Sequence, residues 1–145
     1  MFDFSQKVVV ITGGTRGIGL ETVKAFKKAG ATVILFGSKK SSVDTAITNL
    51  KNEGLEVEGY FPNLSDFNEV NETIEDIISK HGHIDILINN AGISARNSIE
   101  NTTAEEFVNI MSLNVNALFF TSKAVVPYMK KNNGGVILNT SSMVS

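Results

Sequence analysis

The sequence predicts an α/β fold, a doubly wound parallel sheet with helices on both faces, and three observations carry that prediction. Short β-branched runs alternate with longer segments whose apolar residues recur at helical spacing. The runs are apolar at successive positions, as strands buried on both faces require. No internal repeat, low-complexity stretch or linker interrupts the alternation, which therefore specifies βαβ units in one sheet.

Val8 to Ile11 forms the first strand and runs into Gly13-Gly14. From Ile18 to Ala29 the apolar residues Ile18, Val23, Ala25, Phe26 and Ala29 lie on one helical face, and Gly30 follows as a stop. Val33 to Phe36 repeats the strand signal, and Val43, Ala46, Ile47 and Leu50 give a second helix closed by Gly54. Leu55 to Phe61 makes a third strand, then Phe67, Val70, Ile74, Ile77 and Ile78 mark a helix capped by Ser65 and ended at Gly82. Ile84 to Ile88 is a fourth strand. Thr103 with Glu106 forms a capping box for one long helix from about Ala104 to Tyr128, with Pro127 expected to kink its last turn. Val136 to Leu138 opens a fifth strand that leads into Thr140-Ser141-Ser142.

Composition narrows the function. The net charge is −2, from 13 basic and 15 acidic residues, and no run of Lys or Arg exceeds two, so neither nucleic acid nor a membrane surface is the expected partner. Cysteine is absent, which excludes disulfides and thiolate metal sites. The N-terminus lacks a basic segment ahead of an apolar stretch, and no apolar run approaches the roughly 20 residues that span a bilayer. A small-molecule ligand in a cytoplasmic protein is the expectation. His81 and His83 flank Gly82 in a turn with no further ligands, so no metal is expected.

In doubly wound sheets ligands bind beyond the carboxyl ends of the strands. The first such loop is Thr12-Gly13-Gly14-Thr15-Arg16-Gly17-Ile18-Gly19, a G-x-x-x-G-x-G pattern joining a buried strand to a helix. Glycines let the backbone approach a pyrophosphate, and the helix N-terminus offers unpaired N–H groups to it. A phosphate-bearing ligand is implied. A P-loop is excluded because Leu20 and Glu21 stand where Lys and Ser or Thr should follow the last glycine. The end of the second strand, which reads the adenosine ribose in nicotinamide sites, holds Gly37-Ser38-Lys39-Lys40 and no carboxylate. Ser38 can donate to a phosphate oxygen and Arg16 can pair with its charge, so NADP(H) is favoured over NAD(H). Lys39 and Lys40 either join them or simply open a solvated helix.

That glycine pattern, Asn89-Asn90-Ala91-Gly92 after the fourth strand, Asn114 inside the long helix and Ser142 after the fifth strand resemble the short-chain dehydrogenase/reductase family over the whole chain, most of all its 3-oxoacyl-(acyl-carrier-protein) reductase branch. The resemblance implies an NAD(P)-binding Rossmann domain spanning residues 1–145, truncated after about the fifth strand and incomplete at its C-terminus. It further implies an enzyme that reduces a carbonyl to an alcohol, working as a homo-oligomer, a dimer or tetramer.

Residue by residue, it implies cofactor contacts from Gly13, Gly14, Thr15, Arg16, Gly17, Ile18, Gly19, Ser38, Asn90, Ala91 and Gly92, with Asn89 structural. Asn63 stands where the family commonly has an Asp that meets the adenine amino group, and Leu64 would cover the adenine face; a turn-forming Asn63 is the other reading. Asn114 would distort the helix and hold a proton-relay water, with Asn116 as its neighbouring competitor. Ser142 would hold the substrate carbonyl oxygen, with Ser141 beside it.

The family's proton donor is a Tyr with a Lys four residues on. Here Tyr128 has Asn132 at that place and Tyr60 has Leu64. The 145 residues are therefore expected to be inactive alone, with a non-catalytic dinucleotide-binding fragment or truncated remnant as the alternative. An extended epimerase or dehydratase relative fits less well, because those usually show G-x-x-G-x-x-G.

Overall fold

The computed structural model describes residues 2–94 and 97–141. Five strands form one parallel sheet: β1 (Val8–Thr12), β2 (Thr32–Phe36), β3 (Glu58–Tyr60), β4 (Ile86–Asn89) and β5 (Val136–Asn139). Their order is β3-β2-β1-β4-β5, so the chain winds outward through β2 and β3, crosses back, and restarts beside β1. That reversal between β1 and β4 opens the crevice where ligands bind in such sheets. The doubly wound α/β architecture expected from the alternation, of the Rossmann type that the resemblance implies, is thus the one observed.

Strand pleat divides the core. Val8 and Val10 of β1 face one side with Ile34, Phe36 and Leu87, where α3 (Phe67–His81) and α5 (Ala117–Lys131) cover them. Val9 and Ile11 face the other with Val33, Leu35, Ile86 and Ile88, under α1 (Gly17–Lys28) and α2 (Lys40–Asn52). All five residues of β1 are buried, which explains why its sequence is apolar on successive positions rather than alternating.

Three expectations are corrected in detail. The third strand is Glu58–Tyr60 only, at the sheet edge, because Leu55 and Val57 are spent packing against the α1–α2 face before pairing begins. The N-cap of α3 is Asp66, not Ser65: its Oδ1 accepts from Asn68 N at 2.8 Å and Glu69 N at 3.4 Å. The long helix is not continuous. It divides into α4 (Ala104–Met111), a π turn (Ser112–Asn116) and α5, with Thr103 and Glu106 forming the expected capping box at its start. No helix among the described residues is long and apolar enough to cross a membrane.

Candidate functional site

The strand ends meet through hydrogen bonds between loops. The Thr12 hydroxyl, at the end of β1, accepts from Asn90 N at 3.0 Å and Ala91 N at 2.9 Å. Gly14 N donates to the Phe36 carbonyl at 3.0 Å, and Thr140 N to that of Asn89 at 2.9 Å. The loops after β1, β2, β4 and β5 therefore form one connected rim.

Within that rim the glycine loop is a cradle that side chains would fill. A Cβ at Gly13 would lie 3.0 Å from Ala91 Cα, and one at Gly14 would press on Leu35 at 2.7 Å. Gly13 and Gly17 have φ of +66° and +55°, which L side chains rarely adopt, and Gly17 has nothing within 4 Å of its Cβ position. The loop is thus tight below and open above, at the N-terminus of α1, whose N-cap Arg16 makes no capping hydrogen bond with its side chain. Backbone N–H groups presented this way suit a pyrophosphate. Ile18 stands at the same mouth with 73% of its surface exposed.

Beside the loop, Thr15, Arg16, Ser38 and Lys39 line one cavity of about 610 Å³ between α1 and α2. The only carboxylate in its lining, Glu53, is at the opposite end, bound by Lys24 at 2.9 Å. That hydrogen bond raises the Lys24 ammonium above its ordinary pKa. Lys40 turns to Asp44 and does not line the cavity, so the two adjacent lysines part company.

After β3, the Asn63 side chain accepts from Ser65 N at 3.0 Å, closing its own turn, while Asn63 N donates to Glu69 at 2.8 Å. Leu64 is 8% exposed and packs into the core with Val70, Ile74 and Ile77 of α3. After β4, Asn90 is partly buried; its Nδ2 donates to the Gly13 carbonyl at 3.4 Å and its Oδ1 accepts from Thr140 at 3.3 Å. Asn89 is buried. It accepts from the Thr121 hydroxyl at 2.6 Å and donates to Asn139 at 3.0 Å, so it ties β4 to α5 and β5.

Gly92 is exposed and comes against the π turn: a Cβ there would lie 3.2 Å from Asn114 Oδ1. Asn114 clasps the next residue like a strand partner, accepting from Ile93 N at 2.7 Å and donating to its carbonyl at 2.6 Å. Asn116 makes no such contact among the described residues. Ser142 lies outside the described residues.

Sequence reasoning missed Thr12, Thr121, Asn139 and Ser112. A lone hydroxyl ending an all-apolar strand was the available signal for Thr12, and a polar residue among apolar helix positions the signal for Thr121. His81 and His83 sit near the opposite, amino end of the strands, against Glu58 at 2.9 Å without hydrogen-bond geometry and Asp85 at 3.1 Å. No three His, Asp or Glu among the described residues could share a metal ion.

A family model for short chain dehydrogenases matches residues 7–145. The chain belongs to the short-chain dehydrogenase family. A 3alpha-hydroxysteroid dehydrogenase of Mediterraneibacter gnavus is 48% identical over 97% of this short-chain dehydrogenase sequence and 57% of its own. A 3-oxoacyl-(acyl-carrier-protein) reductase of Thermotoga maritima is 35% identical over 95% of the chain and 56% of its own length. The crystal structure of 2-keto-3-deoxy-D-gluconate dehydrogenase from Streptococcus agalactiae superposes with a TM-score of 0.87 at 38% identity, covering 99% of the chain and 54% of that structure. A metagenomic short-chain oxidoreductase in complex with NADP gives 0.88 at 26% identity, over 97% of the chain and 64% of that structure. The chain thus spans about half the length of the curated relatives it matches.

Proposed function

We propose that the protein containing this chain is an NADP(H)-dependent oxidoreductase that interconverts a carbonyl and an alcohol on a small molecule. The observation that carries the cofactor choice is the cavity beside the glycine loop, where Arg16, Ser38 and Lys39 converge and no carboxylate follows β2. A 2′-phosphate placed there gains charge-assisted hydrogen bonds, each contributing about 1.5–3 kcal/mol.

Bound NADP(H) would exchange a hydride at its nicotinamide ring. The loop from Gly13 to Gly19 would hold the pyrophosphate, with Thr15 and Ile18 at its mouth. Asn63 and the backbone at Leu64 would receive the adenine. Asn90, Ala91 and Gly92 would let the nicotinamide ribose pass close to the backbone. Ser142 would donate its hydroxyl proton in a hydrogen bond to the substrate carbonyl oxygen, and Asn114 would keep the π turn in place for a proton relay. The proton itself would come from a Tyr-x-x-x-Lys pair outside residues 1–145, since Tyr60 and Tyr128 lack the Lys.

For the substrate, the 48% identity to a 3alpha-hydroxysteroid dehydrogenase, against 35% to a 3-oxoacyl-(acyl-carrier-protein) reductase, favours a hydroxysteroid or its ketone over an acyl thioester. A cytoplasmic homo-oligomer completes the reading. The association is supported by the exposed apolar side chains Phe107, Met111, Val115 and Phe119 along α4, the π turn and α5.

The test is a fluorescence titration of the intact protein with NADPH and NADH. NADPH is expected to bind at least tenfold tighter, and Arg16→Ala to remove most of that difference; tighter NADH binding would refute the NADP reading. Assays with a 3-ketosteroid and an acetoacetyl thioester then decide the substrate class.

A further inference from the structure

The π turn at Ser112–Asn116 is wider than the α-helix on either side of it and needs partners to persist; such turns are rare and concentrate at functional sites. Its two tethers run in different directions. Asn114 holds Ile93, next to Gly92 on the nicotinamide side of the proposed cofactor track. Ser112 reaches the other way, its hydroxyl donating to the Ser65 hydroxyl at 3.0 Å across 47 residues of sequence.

Ser65 belongs to the turn that carries Asn63, because its own N–H donates to Asn63 Oδ1 at 3.0 Å. Ser112 also supplies the carbonyl that accepts the wide-turn bond from Ala117 N. One residue therefore fixes the start of the π turn with its backbone and touches the adenine-side loop with its side chain. No other side chain hydrogen bond among the described residues joins the β3 loop to the π turn.

We propose that Ser112 is a positioning residue that links occupancy of the adenine-side loop to the π turn carrying Asn114. This rests on the dinucleotide reading above and names a coupling within that site. When the adenine half of the cofactor packs on Asn63–Ser65, it steadies the Ser65 hydroxyl that already accepts from Ser112. The π turn then loses freedom, and with it the Asn114–Ile93 clasp on the nicotinamide side. The coupled element is thus a turn with two tethers, and its opening is measurable by amide exchange.

The experiment uses hydrogen–deuterium exchange on the intact protein with 2′,5′-ADP as the probe, an adenine half-ligand that cannot reach the nicotinamide side. Added 2′,5′-ADP is expected to slow exchange at residues 63–66 and also at 112–117. In Ser112→Ala the protection should remain at 63–66 and fall at least twofold at 112–117, and Ser112→Thr, which keeps the hydroxyl, should restore it. Protection confined to 63–66 in the wild type, or equal spread in Ser112→Ala, overturns the coupling while leaving the cofactor site standing. No protection at either segment removes the dinucleotide reading and the coupling together. A Ser65→Ala/Ser112→Ala cycle on the dinucleotide dissociation constant gives the second check: the two changes should be non-additive, and additive effects overturn the proposal.

Discussion

A methyl group at Gly19 would overlap the Gly13 carbonyl oxygen and come within 2.6 Å of Asn90 Nδ2. The first of these is backbone and cannot swing aside, so Gly19→Ala must displace the glycine loop. Overpacking of this kind costs about 1–3 kcal/mol. Urea unfolding should show that loss, and NADPH titration a dissociation constant raised at least tenfold; an unchanged titration would place the cofactor elsewhere. The two adjacent asparagines separate along similar lines. Asn89 is buried, with its amide engaged by Thr121, Ser122 and Asn139, so Asn89→Ala should lower unfolding stability by about 1–3 kcal/mol. Asn90→Ala removes only side-chain contacts of 3.3–3.4 Å on a partly buried group and should cost less than about 1 kcal/mol, its main effect being weaker NADPH binding. Equal stability losses would refute that division.

At the scale of elements, α3 is held to edge strand β3 by a cluster of Tyr60, Asp76 and Lys80. The Tyr60 hydroxyl donates to Asp76 at 2.7 Å, and Lys80 donates to Tyr60 at 2.8 Å and pairs with Asp76 at 2.9 Å. The Tyr60 hydrogen bond holds the Asp76 carboxyl below its ordinary pKa of 3.8. A depressed carboxylate contributes stability that is present above the unfolded value and lost as pH falls through the folded one. Tyr60→Phe should therefore destabilise the protein at neutral pH, with the gap from wild type closing below pH 3.8; a gap constant down to acid pH would show that the loss is packing alone. The same elements show what sequence could reveal. Val8 to Ile11 was legible as a buried strand because every position is apolar, whereas β3 was overextended because Leu55 and Val57 look like strand residues while packing elsewhere. Apolar residues at 107, 111, 115 and 119 run straight across the break between α4 and α5 and read as one helix; by pattern Asn114 is only a polar interruption, and the distortion expected there came from the family resemblance. Asp66 and Ser65 are both good caps, and only geometry chooses between them. Ser112 was invisible because its partner is 47 residues away.

For the whole molecule, the apolar stripe on α4 and α5 bears on association. Phe107, Met111, Val115 and Phe119 are 58%, 41%, 45% and 59% exposed, at a constant spacing of four. Four residues of α-helix overshoot a full turn by about 40°, so such a stripe would wander around a continuous helix. The wider π turn takes back part of that drift, which keeps the four side chains nearer one face. An aligned apolar face on two successive helices suits a second copy packed across a two-fold axis, where each helix meets its own equivalent. The intact protein should therefore elute as a dimer or tetramer by size-exclusion chromatography with light scattering. Phe119→Glu, which places a charge at the α5 end of that face, should weaken association at least tenfold and leave the folded monomer's circular dichroism unchanged. A monomeric wild type would remove the oligomer proposal, and an unshifted Phe119→Glu oligomer would move the interface off this stripe.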